Sequence, residues 1–231
     1  MGIFDVFKKD KSNNDDCISR VNLAKEQVNK ICLEKKSLTN LKAQVGIVLD
    51  YSGSMETMYK DGTVQHLIEQ IIPIAMQFDD NQKMECWLFS DSCHRLNDVT
   101  LKNLPNYVKS IPRHYRMNGT LYAPVIKSVT EVYNVSKTPA YVLFVTDGDC
   151  FDHNESEVAM EKAAHYPIFF QFVGLGKRSF SFLEHLDDMS GRYVDNADFF
   201  SVKNINDITY RDLLKEFPEW LEYDRVKQML S

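Results

Sequence analysis

Hydrophobic and polar positions divide the chain into three stretches. Residues Lys8 to Asp16 are almost all polar and read as a solvated segment, so residues 1–16 are expected to form a flexible tail. Ile18, Val21, Ala24, Val28 and Ile31 then recur at helical spacing and predict one amphipathic helix over 17–36, packed on its own domain. Residues 37–231 are expected to form a single folded domain, with its first core element beginning near residue 43.

That element is Val45-Gly46-Ile47-Val48-Leu49, a short apolar run without alternation, as expected of a strand covered on both faces. A helix is predicted over 63–78, with Pro73 kinking it. Further strands are read at Met84 to Phe89, as a short edge strand after Ser90-Asp91-Ser92, at Tyr141 to Val145, at Ile168 to Val173 and near 192–200. Helices are predicted near 102–110, 120–134, 155–164, 179–186 and 209–229, and Pro124 is tolerable near the first turn of its helix. Strands alternating with helices predict a doubly wound α/β fold. Its central sheet is mostly parallel, with helices on both faces and a short antiparallel edge strand.

Composition narrows the function classes. The 27 basic and 33 acidic residues leave a net charge of −6, which argues against a general nucleic-acid binder. No apolar run approaches the ~18–20 residues of a membrane span, so membrane contact is expected only through the N-terminal tail. The N-terminus starts like a myristoylation site but has Val6 where Ser or Thr is wanted. Five cysteines, an odd number and never spaced C-x-x-C, make a disulfide framework or a thiolate zinc site unexpected and fit a reducing cytoplasm.

In open parallel sheets the functional crevice lies beyond the carboxyl ends of the strands. Asp50-Tyr51-Ser52-Gly53-Ser54 stands after the first strand, Asn118-Gly119-Thr120 before the 120–134 helix, and Asp147-Gly148-Asp149 after the Tyr141 strand. Alternate residues of an extended segment face one side, so Asp50, Ser52 and Ser54 can aim three oxygens at one centre, with Gly53 expected to allow a sharp turn. Thr120 and Asp147 add two more. Five oxygen donors without His or Cys suit a hard cation, and a sixth position is left for water or a ligand oxygen. Mg²⁺ or Mn²⁺ fits such a set, with Ca²⁺ a further alternative. Tyr51, Met55, Met58, Tyr59, Met117 and Tyr122 near these loops are read either as an apolar rim gripping a partner or as packing beneath the loops. Asp149 is read as a solvated turn acid or an outer member of the site. Gly174-Leu175-Gly176-Lys177-Arg178-Ser179 hints at a phosphate loop but fails it, because Gln171 and Arg178 stand where Gly and Ser or Thr are required.

Asp50, Ser52, Ser54, Thr120 and Asp147, in that spacing, resemble the metal-ion-dependent adhesion site of von Willebrand factor A domains. Leu49 to Met55, Lys60 to Gln65, Trp87 to Ser90, Asn118 to Ile126, Phe172 to Gly176, Val194 to Phe200 and Glu216 to Leu221 resemble the A-type domain of tellurium-resistance (TerF-type) proteins. The resemblance runs from about residue 40 to 225. It implies a doubly wound fold, Mg²⁺ at the top edge of the sheet, and binding rather than catalysis. In that family the serines and, in some states, the threonine touch the metal, while the carboxylates often act through water. The partner it implies is another protein offering an Asp or Glu, within a cytoplasmic stress-response system. Two other classes are weighed beside it. A Mg²⁺-dependent phosphoryl-transfer enzyme would want an acid two residues after Asp50, where Ser52 stands; a membrane-peripheral scaffold would use residues 1–9 and the 17–36 helix.

Overall fold

The computed structural model describes the backbone of residues 3–231 and the side chains of residues 16–231. Six strands build one sheet: β1 (Gln44–Asp50), β2 (Glu85–Phe89), β3 (Cys93–Arg95), β4 (Ala140–Thr146), β5 (Ile168–Leu175) and β6 (Ala197–Val202). Their order is β3-β2-β1-β4-β5-β6, and every neighbouring pair is parallel except β2 with β3. From β1 the chain winds outward through β2 and β3, then returns to the other side of β1 with β4. The carboxyl ends of β1 and β4 therefore flank the switch point, where such sheets leave a crevice.

Among the described residues ten α-helices accompany the sheet: α1 (Ile3–Glu34), α2 (Glu56–Lys60), α3 (Thr63–Phe78), α4 (Tyr107–Ser110), α5 (Ala123–Tyr133), α6 (His153–Ala163), α7 (Ser181–Asp188), α8 (Tyr210–Leu213), α9 (Phe217–Trp220) and α10 (Asp224–Leu230). The pleat of each strand sends alternate residues to opposite faces. Val45, Ile47 and Leu49 of β1 join α1, α3 and α8–α10 in one core, while Val48 joins Trp87, Phe144 and the residues of α5, α6 and α7 in the other. Every residue of β4 is buried, which explains why its sequence is a continuous apolar run rather than an alternating one. The expected fold class is the observed one.

Several boundaries differ from the sequence reading. The helix expected over 17–36 is part of a longer one, so the backbone from Ile3 is helical where a flexible tail was expected over 1–16. The side chains of that segment, including the proposed membrane contact at residues 1–9, lie outside the described residues. From Cys17 onward α1 buries Cys17, Val21, Val28, Ile31 and Cys32 against α3 and its neighbours, and Arg20 pairs with Glu69 at 3.1 Å. The helix expected over 209–229 is three short helices. A capping box between Thr209 and Asp212 opens the first, and Pro218 in the first turn of the second cannot continue a preceding helix. α3 runs on through Pro73 to Phe78. Among the described residues no helix is long and apolar enough to cross a membrane.

Candidate functional site

Asp50 closes β1 with its side chain fully buried. Its Oδ1 accepts the Ser52 backbone N–H at 2.7 Å, and its Oδ2 accepts the Thr146 hydroxyl at 2.6 Å across from the end of β4. The Tyr59 hydroxyl donates to the Asp50 carbonyl at 2.9 Å, fixing the strand end from below. Burial pushes the Asp50 carboxyl up to about 6, against the pull of these hydrogen bonds and with a further push from Asp147.

Outward from Asp50 the oxygens form a chain. Ser54 Oγ donates to Asp147 Oδ1 at 2.6 Å, which leaves the Ser52 hydroxyl to donate to Ser54 Oγ at 3.1 Å. Ser52 and Asp147 are buried, whereas Ser54 reaches the surface. The Thr120 loop is drawn to the same edge by its backbone. An isolated parallel bridge pairs Ser52 with Asn118, and Gly53 N–H donates to the Asn118 carbonyl at 3.2 Å. Leu121 N–H donates to Ser90 at the end of β2, and Phe151 N–H donates to the Thr120 carbonyl, at 2.8 and 3.0 Å. Thr120 itself is 8% exposed, and its hydroxyl has no side-chain partner among the described residues.

All five expected residues thus lie at the β1/β4 switch point, four of them in one bonded network and Thr120 on a loop stitched to it. Gly53 departs from expectation. Its φ is not in the left-handed range and nothing lies within 4 Å of the Cβ it lacks, so the turn does not depend on a glycine. Met55 and Tyr122 are buried, so neither belongs to a rim, and Tyr51, Met58 and Tyr59 rest partly buried on the core. The Tyr122 hydroxyl instead donates to the Gly148 carbonyl at 2.5 Å, bracing the Asp147 loop.

Three neighbours were not singled out for this site by the sequence. Phe151 stands 83% exposed beside Gly119, as an apolar side chain at the lip of the site. The Arg178 guanidinium lies against Gly148. Asp152 receives the N–H groups of Tyr122 and Ala123 at 2.9 and 2.8 Å, capping α5 from a different loop. No periodicity marks such a long-range cap.

The donor set fits a hard divalent ion. Two carboxylates meet here, and among the described residues neither has an ion-pair partner within 4 Å. Their hydrogen-bond partners are the Ser54 and Thr146 hydroxyls and the Ser52 N–H, and hydroxyl and carboxylate oxygens are ligands of the kind Mg²⁺ prefers.

The model of the family vWA-TerF-like, described as the vWA found in the TerF C terminus, matches residues 42–230. The Bacillus subtilis (strain 168) protein YcbR is 38% identical over 221 residues, covering 91% of this chain and 90% of that protein. An aerotolerance-related membrane protein from Bacteroides fragilis superposes with a TM-score of 0.55 at 16% identity, covering 71% of this chain and 93% of that one. Proximal thread matrix protein 1 from the mussel byssus, in a form with a zinc-occupied MIDAS motif, gives 0.55 at 14% identity over 82% of this chain and 47% of its own. At such identities the two structures speak to the fold alone.

Proposed function

This chain belongs to the vWA-TerF-like family of von Willebrand factor A domains, and on that footing we propose that it is a metal-dependent protein-binding module. Domains of this type are generally interaction modules and are often metal-dependent. In our reading Ser52, Ser54 and Thr120 hold Mg²⁺ through their hydroxyls, with Asp50 and Asp147 supplying charge directly or through water. The observation that carries this reading is the pair of acids at the switch point, hydrogen-bonded by hydroxyls and without an ion-pair contact within 4 Å among the described residues.

When bound, the ion supplies a Lewis-acidic centre whose remaining position accepts an Asp or Glu from the partner. The chain's own residues do the rest. Thr146 and the Ser52 N–H hold the Asp50 carboxylate fixed at the base of the site. Ser54 and Asp147 keep two loops within reach of one centre. Phe151 offers an exposed apolar contact at the lip, the kind of aromatic anchor that interfaces favour. We further place the module in a tellurium-resistance type of stress-response system in the cytoplasm, a placement supported by family likeness.

Affinity capture in Mg²⁺ against EDTA tests the reading. A partner should be retained only with Mg²⁺ and only by the wild-type chain; equal retention by Asp147→Ala, or in EDTA, would contradict it.

A further inference from the structure

Directly after Asp147 the chain passes through Gly148-Asp149-Cys150-Phe151-Asp152 into α6, whose first residue is His153. A carboxylate oxygen of Asp149, the Cys150 sulfur and a ring nitrogen of His153 all lie within 4.8 Å of one another. These donors differ in kind from the oxygen set one loop away. A thiol, an imidazole and one carboxylate form the ligand class of zinc, not of Mg²⁺.

The groups are held before any ion arrives. His153 Nε2 sits 2.9 Å from Asp149 Oδ1, and its ring lies flat on Phe182, with centroids 3.9 Å apart and 7° between planes. Asp149 Oδ1 also accepts the Cys150 N–H at 2.8 Å, which turns the carboxylate back toward the cysteine. Cys150 is free and 6% exposed, forming the inner wall, while Asp149 and His153 close the outer side from the surface. Ser156, one turn into α6, is fully buried. Burial is the main influence on the Cys150 thiol and pushes it up to about 12, with the neighbouring Ser156 hydroxyl pulling the other way.

We propose that Asp149, Cys150 and His153 bind a zinc-class divalent ion, with the fourth position open to water or to a partner. The Cys150 sulfur exchanges its proton for the metal, and the proton passes to solvent, so binding strengthens as pH rises. The site does not depend on the Mg²⁺ reading, because its three ligands are none of the five oxygen donors. It shares their loop, however, so its occupancy would stiffen the segment that carries Asp147 and, through Phe151 N–H, the Thr120 loop.

Co²⁺ is the probe, titrated into the full chain under reducing conditions with excess Mg²⁺ filling the oxygen site. The wild type should develop sulfur-to-cobalt charge-transfer absorption that saturates at one equivalent and is abolished by Zn²⁺. Cys150→Ser should lose the band. His153→Ala, at a half-exposed position, should still fold and should bind Co²⁺ at least about tenfold more weakly. Asp147→Ala should keep the band. The proposal is overturned by a wild type without the band, by a band that persists in Cys150→Ser, by His153→Ala titrating like wild type, or by loss of the band in Asp147→Ala. Failure of the Mg²⁺ site is read separately, from melting with and without Mg²⁺.

Discussion

Ser54 Oγ donates to Asp147 Oδ1 at 2.6 Å, joining two strand-end loops that stand 93 positions apart in the chain. Neither loop needs the other for its own fold, since each is anchored at its strand end. Ser54 is exposed, so Ser54→Ala should change melting in EDTA by under about 1 kcal/mol. Calorimetric titration with Mg²⁺ should nevertheless show affinity down by roughly tenfold, the order typical of a lost donor. Wild-type affinity in this variant would remove Ser54 from the ligand set.

Asp152 ties the start of α5 to the loop after β4 by two charge-assisted hydrogen bonds. Asp152→Ala strands both N–H groups, and denaturant unfolding should register a loss of about 1–2 kcal/mol. Thr120 lies two residues before the capped Tyr122, so the same variant should also bind Mg²⁺ more weakly. A stability loss with unchanged Mg²⁺ affinity would show that the Thr120 loop is positioned without this cap.

Asp50 gives the metal-free protein a pH dependence of definite sign. Its folded carboxyl is raised to about 6 from an ordinary value of 3.8, so the folded state holds the proton more tightly than the unfolded chain. Stability in EDTA should therefore fall as pH rises from about 4 to about 6, by up to roughly 3 kcal/mol, and then level off. Mg²⁺ competes with that proton, so the increment in melting temperature caused by Mg²⁺ should be small near pH 5 and complete by pH 7. Melts across this range with and without Mg²⁺, on wild type and Asp50→Asn, check it. A pH-independent increment would separate the ion from Asp50.

Two glycines near the sheet have opposite expected costs. A Cβ on Gly46 would meet the Tyr133 hydroxyl at 2.9 Å and the Trp87 ring at 3.0 Å, between buried rings that are themselves packed 5.8 Å apart. Gly46→Ala should destabilise by about 1–3 kcal/mol in chemical unfolding. Gly53, in the middle of the Asp50 to Ser54 loop, has open space around it, so Gly53→Ala should unfold within about 0.5 kcal/mol of wild type. A large loss at Gly53 would mean that the loop needs its freedom after all.

The central sheet was legible because β1 and β4 are covered on both faces, and only unbroken apolar runs such as Val45 to Leu49 satisfy that demand. The five oxygen-bearing residues were legible because strand ends are where a parallel sheet must expose its crevice. What escaped the sequence was set by contacts between distant segments. The break at Pro218 was visible in principle, yet the mixed-charge amphipathic pattern over 209–229 masked it. Tyr122 and Met55 read equally well as rim or as packing, and only the closeness of Thr146, Gly148 and the core decides for packing. Asp152 caps a helix 29 and 30 residues earlier. Asp149, Cys150 and His153 form neither a C-x-x-C nor another marked spacing, so nothing in the sequence sets them apart as a cluster.

The most direct measurement is thermal melting of wild type and Asp147→Ala with and without Mg²⁺ at neutral pH. At about a hundred times its dissociation constant the ion should add roughly 2.7 kcal/mol, or about 5–10 °C for a domain of this size, to the wild type. Asp147→Ala should melt at the same temperature in both conditions. An equal rise in the two proteins would place the ion elsewhere and contradict a metal centre at the β1/β4 switch point.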